Sequence, residues 1–207
     1  MQSRIVLASS SPRRIELLRS AGLDPEVRSP EVDETPKRGE SPRALVKRLA
    51  VLKARAIAER LAGEGRGADI VIAADTTVVS PDGKRSLGKP ADAADAAKML
   101  RALSGRSHGV LTAYCILSRK KMRTRVITSR VRMRKLDRAL VDDYVASGEP
   151  MGKAGAYAIQ GIGMALVDSI SGSWTNVVGL PLAQVLEDLA RDFGVKSRLS
   201  AKGAHHG

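Results

Sequence analysis

The chain has 207 residues, 43% hydrophobic and 28% charged, and 35 lysines and arginines against 22 aspartates and glutamates give it a formal net charge of +13. Those figures suit a soluble protein of one domain or two closely joined lobes. No apolar run approaches the roughly 20 residues of a membrane span, and no long apolar leader opens the chain, so the expectation is a cytoplasmic protein.

In chain order, Ile5, Val6, Leu7 and Ala8 read as a short buried strand. Ser11 followed by Pro12 reads as a helix start, the serine capping free amides and the proline giving up only an orphan N–H. Arg13 and Arg14 then fall in the first helical turn, where the helix dipole disfavours positive charge. A bound phosphate would explain them, because serine hydroxyls, free amides and guanidinium forks would converge on it; an ordinary turn with two solvated arginines fits equally. The helix ends near Ala21 with Gly22 as terminator, and Glu26 to Arg28 reads as a second short strand.

The segment PEVDETP places Glu31, Asp33 and Glu34 between two prolines. Such a cluster suits a hard cation that takes oxygen ligands, and it also suits a solvated acidic loop. A second helix starts at Ser41-Pro42 and runs to about Leu61. Leu45, Val46, Leu49, Leu52 and Ala56 form its apolar stripe, with Lys53 at the edge of the buried face. Gly63, Gly65 and Gly67 make a candidate hinge loop. The strand from Ile70 then runs straight into Asp75 and Thr76, at the place where α/β sheets collect ligands, though a lone aspartate there can equally cap a turn.

Val78 and Val79 continue the strand, and Leu87-Gly88-Lys89-Pro90 sets a lysine between glycine and proline. A helix spans Asp92 to Leu103. Two long strands follow, Ser107 to Leu117 and Thr124 to Lys135, and in the second Arg130, Arg132 and Arg134 alternate with apolar residues as a wet face. Cys115, the only cysteine, excludes an internal disulfide and reads as a buried thiol between Tyr114 and Ile116. A basic concentration lies at Arg119, Lys120, Lys121, Arg123 and Arg125. With aromatic residues at 2%, stacking surfaces for single-stranded nucleic acid are scarce, so most of this charge reads as solvated.

Asp137 caps a helix ending at Gly148. The glycine-rich stretch Gly152 to Gly163, with Lys153, Tyr157 and Gln160, reads as a loop lining a pocket. Met164 to Ile170 reads as a strand and Leu182 to Phe193 as an amphipathic helix. The chain thus reads as one unit over 1–195 with a basic, disordered tail over 196–207. His205 and His206 in that tail support no metal site.

Taken together, ASSSPRRIELL (Ala8 to Leu18), EVDETP (Glu31 to Pro36), AADT (Ala73 to Thr76), LGKP (Leu87 to Pro90), LSGRSH (Leu103 to His108), KAGAYAIQG (Lys153 to Gly161) and NVVGLPL (Asn176 to Leu182) closely resemble the Maf family of nucleoside triphosphate pyrophosphatases. The resemblance is collinear over about Ile5 to Phe193. It implies an α/β fold, a mixed twisted sheet with flanking helices in two lobes around a central nucleotide cleft, similar to inosine triphosphate pyrophosphatases.

The implied reaction is hydrolysis between the α and β phosphates, giving a monophosphate and pyrophosphate, with a divalent cation such as Mg²⁺ or Mn²⁺. By the same resemblance Asp75 is the proton acceptor for the attacking water. Ser9, Ser11, Arg14, Lys53 and Lys89 take phosphate-side positions, and Glu34 joins Asp75 as a metal ligand or catalytic carboxylate. Arg13, Thr76 and Gln160 match the branch acting on dTTP and UTP rather than on 7-methyl-GTP. A neutral amide such as Gln160 can both donate to and accept from a uracil or thymine edge. Gly152 departs from the aspartate that many relatives carry before Lys-Ala-Gly. The family also implies a homodimer and a link to cell-division arrest. Two other readings remain: a basic nucleic-acid-binding protein with a vestigial pocket, and a house-cleaning enzyme for modified nucleotides.

Overall fold

The structure, a computed structural model, describes residues 4–66 and 69–197. Gly67 of the expected hinge loop, and Arg198, Lys202, His205 and His206 of the expected tail, lie outside the described residues. The apolar runs at Ile5–Ala8 (β1) and Ile70–Val79 (β3) pair in parallel, Ala8 against Ala73, and Glu26–Val27 (β2) adds a second parallel neighbour to β1. The rest of the sheet is antiparallel. Ser86–Leu87 (β4) pairs with the end of β3, and Ser107–Leu117 (β5), Met122–Met133 (β6) and Val167–Ser171 (β7) follow beyond its other edge. The seven-stranded sheet is therefore mixed and open, in the order β2-β1-β3-β5-β6-β7 with β4 on β3.

Helices cover both faces, as the two-residue periodicity of β3 requires. Val71 and Ala73 pack with Val46, Ala50, Ala54 and Ile57 of Pro42–Gly63 (α2). Ile72 and Ala74 face the other way, onto Leu17 and Leu18 of Pro12–Ser20 (α1) and Val185 and Leu189 of Leu182–Phe193 (α6). A third cluster joins the far ends of β5 and β6 to Ala93–Leu103 (α3) and Arg138–Ala146 (α4), which gives the molecule its second lobe.

Local chemistry explains most boundaries and several departures. Ser41, Asp92 and Asp137 cap α2, α3 and α4 by accepting from the amides of Ala44, Asp95 and Leu140. Ser11 precedes α1 as expected, but its side chain makes no cap bond. The buried stripe of α2 runs through Lys53 and Ala54, while Leu52 is left 37% exposed; the lysine is tolerated because carboxylates meet it. Met164 to Leu166 belong to a 3-10 segment, Gly161–Leu166, and the strand starts only at Val167. The sequence Trp174–Val178, which gives no clear periodicity, forms a short helix (α5) capped by Ser173.

The basic hairpin between β5 and β6 is less solvated than its composition suggests. Lys121 and Arg123 reach Asp192 at 3.0 and 2.7 Å, and Arg125 pairs with Glu187 and Asp188, all on α6. Asp188 is fully buried and also accepts from the Tyr114 hydroxyl at 2.5 Å. Three of the five basic residues thus dock α6 rather than offer a free polyanion surface. Arg130, Arg132 and Arg134 are exposed, and Cys115 is buried with its thiol pKa raised by burial.

His108 on β5 is 3% exposed and meets the Tyr157 hydroxyl at 2.7 Å. Burial lowers its pKa from 6.5 to about 4. The unfolded chain therefore binds a proton between pH 6.5 and 4 that the native state refuses, so stability falls as pH drops through that window, by about 3 kcal/mol for such a shift. Denaturant titrations at pH 7 and pH 4.5 should show this loss, and His108→Gln should flatten it; an unchanged slope in the variant would assign the acid sensitivity to other groups.

Candidate functional site

β1 is four residues long and β3 is ten, and this mismatch makes the site. β1 leaves β3 at Ala73, and β4 joins the same edge only at Val78, so no described strand pairs with residues 74–77 on that side. The resulting notch lies beyond the carboxyl end of the parallel pair, where open α/β sheets place ligands. It opens into a cleft of about 700 Å³, within the range of small-molecule sites. Ser9, Ser11, Arg13, Arg14, Glu34, Lys53, Asp75, Thr76 and Lys89 all line it.

Alternation along β3 sends Asp75 to the α2 side and Thr76 to the α1 side. Lys53, 7% exposed, donates to Asp75 Oδ1 at 2.7 Å and pairs with Glu34 Oε1 at the same distance. One ammonium therefore spans the two carboxylates. Of the three acids in the PEVDETP loop only Glu34 takes part; Asp33 accepts from the Thr35 amide and Glu31 is exposed. The loop is anchored by Arg48, which donates to Thr35 O at 3.0 Å and holds Glu40 through two bonds. That pairing takes the Glu40 carboxyl down to about 2.

Among the described residues no group of three or more His, Cys, Asp or Glu side chains converges to hold a metal ion. The donor chemistry of Asp75 and Glu34 nevertheless fits a hard divalent cation. Both offer oxygen ligands, both oxygens already meet one positive centre, and such ions take one or two carboxylates and complete their shell with phosphate and water oxygens.

On the other face Arg14 acts as a hub. It donates from Nε to Gly179 O at 2.8 Å, from Nη1 to Ser9 Oγ at 3.2 Å and from Nη2 to Thr76 Oγ1 at 3.1 Å. Gly179 can present that carbonyl because it closes α5 at φ 128°, a conformation glycine adopts without strain. Burial lowers the Arg14 pKa, and the nearby Asp75 charge opposes the shift; an arginine remains protonated throughout. Thr112 Oγ1 gives its proton to Asn176 O at 2.8 Å, so Thr76, 2.9 Å from Thr112 Oγ1, is the donor in that pair. Arg14 is thus largely committed to building the wall.

Ser9 and Arg13 remain open to a ligand. Ser9 Oγ accepts from the Ser11 amide and from Arg14, which leaves its hydroxyl proton to donate. Arg13 Nε is buried without a hydrogen-bond partner, a costly state that an anion reaching it would relieve.

The cleft is also lined by Lys89 and by residues the motifs left unassigned, Lys153 and Tyr157. Lys153 donates to Glu149 O at 2.9 Å. Gly155 N donates to Gly88 O at 3.0 Å, stitching the two lysine loops together. Gly155, inside the 3-10 turn Ala154–Ala156, sits at φ 70° with Val78 so near that a Cβ would lie 2.9 Å from it. Gln160 lies just past Ile159, the last residue of the segment on the cleft wall, and is itself outside the lining. Glu149 fixes the turn beyond it by accepting from the amides of Ile162 and Gly163.

The family described as "Maf-like protein" matches residues 4–192. A dTTP/UTP pyrophosphatase of Chelativorans sp. (strain BNC1) is 47% identical over 201 residues, covering 96% of this chain and 95% of the relative. The dTTP/UTP pyrophosphatase of Syntrophotalea carbinolica is 47% identical over 91% of this chain and 84% of its own. That of Cereibacter sphaeroides is 48% identical over 90% and 93%.

Proposed function

The chain belongs to the Maf family, and from that premise we propose that it hydrolyses dTTP and UTP to the monophosphate and pyrophosphate. The observation that carries the reading is the Lys53 ammonium held 2.7 Å from both Asp75 and Glu34 in a cleft whose other charged lining residues, Arg13, Arg14, Lys89 and Lys153, are all cations. Relatives alike over almost the whole chain bear the name dTTP/UTP pyrophosphatase.

In this reading Arg13, Lys89, Ser9 and Ser11 bind the triphosphate, offsetting the charge that would repel a nucleophile. Asp75 orients a water toward the α phosphorus. Lys53 occupies its Oδ1, and Oδ2, with no described hydrogen-bond partner, takes the water's proton. Lys53 holds Asp75 fixed in direction, and Arg14 with Thr76 shapes the wall against which the nucleotide lies. A divalent cation, Mg²⁺ or Mn²⁺, would be held by Asp75 and Glu34, and when bound it neutralises phosphate charge and lowers the pKa of coordinated water. Gln160 reads the pyrimidine edge from the rim. We expect a cytoplasmic enzyme, with a homodimer as its assembly and no stable nucleic-acid partner; no described helix is long and apolar enough to cross a membrane.

The protein should be incubated in H₂¹⁸O with dTTP, UTP, CTP and 7-methyl-GTP and either metal. Pyrophosphate should appear chiefly from the first two, with the label in the monophosphate because water attacks the α phosphorus. Label in the pyrophosphate would overturn the bond assignment. No release from any nucleotide, with salt-sensitive binding to DNA or RNA, would favour the nucleic-acid reading.

A further inference from the structure

The cleft cations differ in how far they are already committed. Arg14 is spent on three acceptors of the wall, and Lys53 is shared between two carboxylates. Lys153 is half-buried, lines the cleft, and has only the neutral carbonyl of Glu149 as partner among the described residues. A backbone carbonyl holds an ammonium more weakly than a phosphate oxygen does, because only the latter bond has charge on both partners. Lys153 is therefore parked where an entering polyanion can recruit it.

Its placement selects which part of the polyanion that is. Asp75, Lys53 and Glu34 occupy the notch in β3, whereas Lys153 and Lys89 stand on two loops joined by the Gly155 N to Gly88 O bond at 3.0 Å. Gly155, pressed against Val78, fixes that joint to β3 itself. Two lysines on stitched loops line the same cleft as the acids from chain segments that carry neither of them, and so suit the end of the triphosphate that departs. We propose that Lys153 and Lys89 together form the subsite for the leaving pyrophosphate, Lys153 donating to its oxygens as the bond to the α phosphorus breaks. The step balances as hydrolysis: the water oxygen joins the α phosphorus, its proton passes to Asp75, and the electron pair of the broken bond stays on the β-phosphate oxygen. This assignment rests on the pyrophosphatase reading.

The test is calorimetric titration of wild type, Lys153→Met and Lys153→Arg with inorganic pyrophosphate and, separately, with dTMP, each at fixed Mg²⁺, beside steady-state kinetics with dTTP. Loss of a charge-assisted bond should weaken pyrophosphate binding by roughly tenfold or more in Lys153→Met, leave dTMP binding within about twofold, and be largely restored in Lys153→Arg. Unchanged pyrophosphate affinity, or equal weakening toward both ligands, would overturn the proposal. So would a lowered melting point with both affinities intact, which would show that Lys153 merely braces the Glu149 carbonyl. Pyrophosphate binding is read without turnover, so an inactive wild type that still binds it selectively through Lys153 would sink the dTTP reading and not the subsite.

Discussion

Asp75→Asn is expected to lower pyrophosphate release from dTTP by about a thousandfold, the scale of losing a positioned general base. The substitution is nearly isosteric, and the amide oxygen can still accept from Lys53, so the notch keeps its shape. What is lost is basicity at the second oxygen and one negative charge facing the ammonium. Without divalent cation, nucleotide affinity should hold or improve, since a carboxylate near the triphosphate is removed. Calorimetry with an α,β-methylene analogue of dTTP, beside a turnover assay, separates the two effects. Activity within fivefold of wild type would remove Asp75 from its catalytic role.

Lys53→Met should cost both activity and stability, for a reason specific to its two partners. Asp75 is 9% exposed, and removing its cation leaves a buried carboxylate without a counter-charge, a loss of about 3 kcal/mol. Glu34, with its side chain 54% exposed, resolvates at little cost. The double variant Lys53→Met/Asp75→Asn should therefore regain most of the stability and none of the turnover. Such a cycle isolates the pair from general packing. If the double variant proves no more stable than Lys53→Met alone, packing of the lysine stem rather than charge governs the site.

Much of the site was legible in the sequence because its elements are local. Ser-Pro marks the starts of α1 and α2, and the apolar run into Asp75 announces β3. Nine of the ten candidate site residues stand on the cleft, Gln160 being the exception. The periodicity of α2 failed at one place, and that place lies in the candidate site: the stripe admits Lys53 in preference to Leu52 because Asp75, 22 residues away in sequence, supplies the charge partner. The basic hairpin misled in the opposite direction, since composition cannot show that α6 brings Glu187, Asp188 and Asp192 against it.

Family, the order of most strands and helices and the identity of the acid at the end of β3 were written in the sequence, since each depends on residue type and short-range spacing. The tertiary structure alone decided that β1 stops short and opens the notch, that one ammonium spans Asp75 and Glu34, and that Arg14 donates to Ser9, Thr76 and Gly179 at once. It also decided that Lys153 joins Lys89 through the Gly155 stitch. These are contacts between residues tens of positions apart, and only the packing of sheet and helices, driven by the apolar faces, fixes which charges meet.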